Sequence, residues 1–263
     1  MKKTRCIAML IIFIMLFSSL TVNASSSVTI DIKKAEEGIV RISYNEINKK
    51  TKVMVEKDSI KYYYDLKNDG EFFPLQLGQG RYIVSVLENT SGNKYKVIAT
   101  ESFEADISEE NSVYLKSTQP ISWNEDMEAI KLAESLTQDE QDQGQIVQVL
   151  YDYVVNNISY DYEKVDNLSS DYIPDIDTVL KDGKGICYDY SALLGAMLRS
   201  RGIPAKLVKG YREDINAYHA WNEVYIDGTW KVIDATYDAW ALKTGTSHNM
   251  FQDANEYNKL KEY

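Results

Sequence analysis

Hydrophobic and polar positions alternate through most of residues 28–116, then switch to a helical spacing in two later stretches. VTIDI, GIVRISY, TKVMVEK, KYYYDL, RYIVSVLE, KYKVIA and SFEADI are short alternating runs. Turn-forming clusters separate them: KNDGE, Leu77-Gly-Gln-Gly-Arg-Tyr82 and NTSGN. This pattern predicts an all-β region. After KSTQPISW (117–124), which reads as a linker, the period changes. Thr137 and Glu140 offer a capping box, and Ile146, Val149, Leu150, Tyr153 and Val154 share one helical face. Residues 161–180 are polar and rich in aspartate, and read as loop. Tyr190, Leu193, Leu194, Met197 and Leu198 mark a second helix, with Arg199 and Arg201 in its last turn and Gly202 and Pro204 closing it. AKLVKGY, AYHAWNEVYI and TWKVIDAT then predict strands, the last two joined by Asp227-Gly228, a strong hairpin signal.

The chain therefore divides into a small β-sandwich over 25–118 and a mixed domain over 119–263, preceded by a signal at 1–24. The signal reading rests on MKKTR, the apolar run CIAMLIIFIMLF, and Val22 and Ala24 as small residues before a cleavage point. The run is short for a membrane span, although an uncleaved anchor is the alternative. In the sandwich, Leu77 to Tyr82 resembles the turn-and-tyrosine corner of immunoglobulin-like folds, where the hydroxyl bonds back to nearby backbone. A plain glycine turn before a strand is the other reading. Twenty tyrosines agree with β-rich, aromatic surfaces. The net charge of −11 becomes −14 once cleavage removes Lys2, Lys3 and Arg5. Such acidity argues against nucleic-acid partners and against adhesion to anionic lipid. The expectation is a secreted or cell-surface protein with no membrane insertion after cleavage, whose sandwich is free to contact a surface partner.

Cleavage also removes Cys6 and leaves Cys187 as the single cysteine. It sits where the second helix begins, facing unpaired backbone N–H groups and the positive end of the dipole, both of which favour the thiolate. Gly183 and Gly185 would let the backbone turn and a substrate approach. A thiolate nucleophile also needs a base, and the chain offers His219 and His248. If Asp227-Gly228 is a two-residue turn, Ile226 faces Thr229, Trp221 faces Asp234, and His219 faces Thr236. His219 and Asp234 are then diagonal neighbours on one face, with Cβ atoms about 7 Å apart or less. One hydrogen bond closes that gap, and such a carboxylate orients the imidazole and stabilises its charged form. Spacing does not reveal whether the helix mouth meets this face. An inert core cysteine stays open as the alternative.

GKGICYDYSALLGAMLRSRGIPAKLVKGY followed by HAWNEVYIDGTWKVIDAT resembles the transglutaminase-like superfamily. A Gly-x-Cys helix start, a GIPA strand entry, an HAW strand and a W-x-x-x-D strand occur in that order, over residues 125–240 or so. The resemblance implies an α+β, papain-like core, with the cysteine helix packed on an antiparallel sheet, and thiol acyl chemistry. It implies that Cys187 is the nucleophile, His219 the general base and acid, and Asp234 the residue that orients it. An oxyanion stabiliser is also needed. Tyr160, in ISYDY, lies roughly where the family has an aromatic donor, and the Cys187 N–H is a second candidate. Trp221 and Trp230 read as hairpin packing, His248 as a solvated tail residue, and Asp189 and Glu223 as surface or capping charges. No metal spacing, phosphate loop or calcium region is recognisable, so no cofactor or metal is expected. The expected function is an enzyme, a transglutaminase-like cysteine acyltransferase or peptidase. It would act on extracellular protein or cell-wall peptide amides by cross-linking, deamidation or proteolysis, through a thioester. The alternative is a catalytically retired surface binding or scaffolding protein. The acidic 161–182 segment beside the nucleophile hints at selection of basic acceptors.

Overall fold

The computed structural model describes residues 28–46 and 49–263; the expected signal at 1–24 and Cys6 lie outside the described residues. Seven strands come first: β1 (Val28–Asp31), β2 (Ile39–Tyr44), β3 (Thr51–Lys57), β4 (Ile60–Leu66), β5 (Glu71–Pro74), β6 (Gly80–Ser91) and β7 (Lys94–Ala105). They form two antiparallel sheets ordered β1-β2-β5 and β4-β3-β6-β7. Alternation decides which side chains turn inward: Val40, Ile42 and Phe73 from one sheet, and Val53, Val55, Val84 and Val86 from the other, are all fully buried. KYKVIA and SFEADI, expected as two strands, are one. Both pair with β6 in one ladder, with irregularities at Val86/Leu87 and Asn89/Ser91, and no turn lies between them. The short strand β5 is hidden in sequence behind the turn cluster KNDGE. At the corner before β6, the Tyr82 hydroxyl donates to the carbonyls of Leu75 (2.9 Å) and Gly78 (2.8 Å) and accepts from Leu77 N (3.0 Å).

The remainder is mixed, and the whole is an α+β fold. Helices α1 (Glu128–Thr137) and α2 (Gln143–Asn157) lead to a two-residue strand β8 (Ser159–Tyr160), then α3 (Tyr162–Asp166) and α4 (Ile176–Asp182). Strand β9 (Lys184–Gly185) runs straight into α5 (Cys187–Ser200). Then follow β10 (Ala205–Arg212), β11 (Ile215–Ile226), β12 (Thr229–Ile233), α6 (Ala235–Thr244) and β13 (Tyr257–Glu262). The long strands make an antiparallel sheet ordered β12-β11-β10-β13. Helix α5 is apolar nearly all round because it is central, with Leu193, Leu194, Ala196, Met197 and Leu198 all inaccessible. Asn222 Nδ2 of β11 donates to the Ser191 carbonyl of α5 and to the Lys206 carbonyl of β10, both at 3.0 Å, pinning the helix to the sheet.

Several local expectations are corrected. Thr137 ends α1, donating to the Ala133 carbonyl, and Asp142 caps α2 by accepting from Gln145 N, so there is no capping box at 137–140. The buried stripe of α2 is Ile146, Val147, Leu150, Tyr151, Val154 and Val155, leaving Val149 and Tyr153 at its margin. Residues 161–180 are not all loop: Asp161 and Asp175 cap α3 and α4. Segment 117–124 is not an exposed linker. Thr118, Gln119 and Ile121 are buried, and Gln119 N donates to the Phe72 carbonyl (2.8 Å). Arg199, in the last turn of α5 as expected, is buried. It donates to the carbonyls of Ala205 (2.9 Å), Lys116 (2.7 Å) and Tyr263 (3.0 Å), tying α5 to this strap and to the C-terminal strand. Tyr62 and Tyr64 pack on Tyr263 with ring centroids 5.6 and 5.9 Å away, so the two apolar cores merge. Among the described residues no helix is long and apolar enough to cross a membrane.

Candidate active site

Cys187 is the first residue of α5 and is partly exposed. Its N–H, like others in a first helical turn, has no intrahelical partner. The turn before it is built by Asp189, which accepts from Ile186 N at 2.8 Å. Asp189 is no surface charge. It is fully buried, and it also accepts from Lys164 Nζ (2.6 Å) and the Tyr172 hydroxyl. Gly185 is needed here for a different reason than expected: a Cβ at this position would lie 2.5 Å from Asp189 Cβ. The glycine admits the capping carboxylate rather than a substrate. Gly183, with φ +61°, closes α4.

His219 lies on β11, opposite Gly210 of β10. Asp227 and Gly228 both have positive φ (51° and 76°), as the two-residue turn requires, and Ile226 faces Thr229. The ladder keeps this register only as far as Asn222 opposite Ile233. Asp234 leaves the strand and becomes the N-cap of α6, a helix the sequence reading missed. Its Oδ1 accepts from Tyr237 N (3.0 Å), while its Oδ2 sits 2.7 Å from His219 Nε2. Asp234 is completely buried and His219 nearly so. The Cys187 thiol lies near enough to the imidazole to act on its charge. Because Nε2 is engaged by Asp234, Nδ1 is the nitrogen left for the sulfur. Burial alone would lower the His219 pKa, but the Asp234 carboxylate, with a further contribution from Cys187, raises it to about 10.

Tyr160 is brought to this point by the short parallel pair β8–β9, in which Tyr160 faces Gly185. Its phenol is pushed up to about 12, by burial first and then by the neighbouring Cys187. Trp221 is fully buried and packs on Val208, Val232 and Tyr257, and Trp230 packs edge-on against Tyr114 at 5.3 Å. Both are packing residues. Glu223 is paired with Lys259 (3.0 Å), and His248 follows α6 and is half-exposed.

Three neighbours escaped the sequence reading. The Tyr257 hydroxyl donates to Asp234 Oδ2 (3.1 Å), from a strand whose alternating YNKLKE pattern was its only signal. Asp238, one turn after Asp234 in α6, accepts from the Tyr151 hydroxyl (2.9 Å) and Gln252 Nε2 (2.9 Å). Burial, helped by the nearby Asp234, raises its pKa to about 7. Lys209 Nζ lies 3.4 Å from the Tyr188 ring centroid; burial lowers its pKa to about 8, while Cys187 acts in the opposite sense. The acidity of segment 161–182 is largely spent within the fold. Asp161 and Asp175 are caps, Asp171 pairs with Lys67, and Asp177 accepts from Glu128 N and Ala129 N. Among the described residues no three His, Cys, Asp or Glu side chains converge as a metal site.

Residues 130–235 match the family model described as the transglutaminase-like superfamily. Kyphoscoliosis peptidase of Mus musculus is 26% identical over 131 residues, which is 46% of this chain and 20% of that protein. UPF0252 protein MJ1282 of Methanocaldococcus jannaschii is 37% identical over 93 residues, covering 31% of this chain and 26% of that one. This chain thus spans about a fifth of the mouse and human peptidases it matches. A crystallised cysteine-protease candidate from Cytophaga hutchinsonii aligns over 82% of this chain and 77% of its own, at 16% identity and a TM-score of 0.47. Residues 130–235 are thus similar to the transglutaminase-like superfamily.

Proposed function

We propose that this chain is a thiol acyl-transfer enzyme with Cys187 as nucleophile, His219 as general base and acid, and Asp234 as the residue that orients and charges the imidazole. One observation carries the reading: the buried His219 ring is held 2.7 Å from the Asp234 carboxylate, with Cys187 near enough to contribute to its raised pKa. An imidazole that keeps its proton beside a sulfur favours the imidazolium–thiolate form. The Cys187 sulfur attacks the carbonyl carbon of a carboxamide or peptide. His219 delivers its proton to the departing nitrogen, and a thioester remains. Water or an amine, deprotonated by His219, then attacks the thioester, and the thiolate is regenerated. The Cys187 N–H and the Tyr160 hydroxyl are the donors for the tetrahedral oxyanion. With residues 1–24 as a secretory signal, the substrate is an extracellular protein or a cell-wall peptide.

The test is the rate of Cys187 alkylation by iodoacetamide as a function of pH, in the wild type and in His219→Ala. Fast alkylation near pH 6 that is lost in the variant is the expected result. A rate equal to that of a free peptide cysteine, unaffected by the variant, overturns the proposal and favours a binding role.

A further inference from the structure

Thr236 occupies the first turn of α6, two residues after Asp234, and is 8% exposed. Its Oγ1 is buried and has no hydrogen-bond partner in the structure. Threonine hydroxyls near a helix start normally find a backbone partner, and a buried one left alone is costly. Thr236 is part of the lining of a cleft of about 340 Å³ that opens beside His219. Its aromatic walls come from two elements. Tyr160 and Tyr162 contact each other edge-on at 4.9 Å, and Tyr237 and Trp240 of α6 lie 5.6 Å apart. Tyr162 is 67% exposed and Trp240 47% exposed, although each is large enough to be worth burying. Asp214 is the single carboxylate on the lining, and it is already paired with Arg212. Beyond Trp240 the groove continues over Ala239 and Leu242 towards Val155 and Ile158, again mainly apolar.

We infer that this cleft is a polypeptide subsite for a large apolar or aromatic side chain flanking the residue whose acyl group Cys187 takes. This deepens the acyl-transfer reading and rests on it. The chemistry follows from the lining. Aromatic walls beside His219 enclose an apolar ring or branched chain. An acidic side chain would meet Asp214 and no free cation. A sugar would need more polar partners than this lining offers.

The experiment is protection of Cys187 from iodoacetamide by short blocked peptides of the form Gly-X-Gly, with X as Phe, Gly or Asp, on the full chain. The Phe peptide is expected to half-protect at a concentration at least about tenfold lower than the other two, from the apolar burial of one ring. In Trp240→Ala, a partly exposed and therefore tolerant position, the Phe preference should disappear. In Thr236→Val, which keeps the shape and removes only an inaccessible hydroxyl, the Phe preference should stay. Equal protection by the three peptides, or a Phe preference that survives Trp240→Ala, overturns the subsite. So does better protection by an N-acetylglucosamine oligomer than by the Phe peptide. Failure of the acyl-transfer reading is read separately, from alkylation without peptide in the wild type and His219→Ala. Protection needs only that Cys187 reacts at a measurable rate.

Discussion

Asp234 Oδ2 lies 2.7 Å from His219 Nε2, while the other oxygen of the same carboxylate caps α6 at Tyr237 N (3.0 Å). One side chain therefore holds the start of a helix and the ring of the candidate base. Its position is over-determined, since Tyr257 also donates to Oδ2. A carboxylate fixed in this way spends little ordering entropy when the imidazole charges.

The two duties separate by mutation. Asp234→Asn keeps an acceptor for the Tyr237 amide but loses the charge facing His219. Alkylation of Cys187 near pH 7 is expected to slow by about tenfold or more, the factor that ~1.4 kcal/mol of lost pairing produces. Stability should change little. Asp234→Ala should lose both, with about 1 kcal/mol from the cap and more from the unpaired Tyr257 and His219. Urea denaturation beside the alkylation rate distinguishes the two outcomes.

Asp238 gives a pH signature to folding. Burial raises its carboxyl to about 7 in the folded chain, from an ordinary value of 3.8. The folded state then holds a proton that the unfolded state releases. The contribution is complete below about pH 4 and is lost as pH rises through about 7. Asp238→Asn, which can still hydrogen-bond to Tyr151 and Gln252, should flatten the dependence of Tm on pH between those limits. An unchanged slope would assign the dependence to other groups.

Lys209 contributes a cation near Cys187 without a carboxylate of its own in the structure. Lys209→Met should slow alkylation of Cys187 at pH 7 by a few-fold, as expected for a charge lost across a few ångströms of partly screened medium. Lys209→Arg should retain the wild-type rate. Equal rates in all three proteins would make Lys209 a packing residue of the tyrosine cluster.

Arg199 joins three carbonyls from three parts of the chain. Arg199→Met keeps the apolar stem but leaves those carbonyls buried and unpaired, at a cost of about 3 kcal/mol or more. Denaturant unfolding should show it as a lower midpoint with the cooperative transition retained. A loss below about 0.5 kcal/mol, the range of ordinary surface changes, would show that water replaces the guanidinium.

Local patterning carried much of this fold. Alternation marked most of the N-terminal strands, and the Asp-Gly turn set the β11–β12 register by requiring positive φ at two adjacent residues. Helical spacing, with glycine and proline at the end, marked α5 and put Cys187 at its mouth. These are nearest-neighbour properties of the backbone, so short stretches suffice to express them. Tertiary structure decided the rest. Whether the α5 mouth meets His219 depends on how helix and sheet pack, which Asn222, Asp189 and the buried strap at Ile121 arrange across long sequence separations. Asp234 reaches His219 from a helix cap rather than along the strand, because the ladder ends at Ile233. Tyr257, Asp238, Lys209 and Thr236 gain their chemical meaning from neighbours distant in sequence. Burial and electrostatics depend on what surrounds a group in space, and no single short stretch of this chain contains that information.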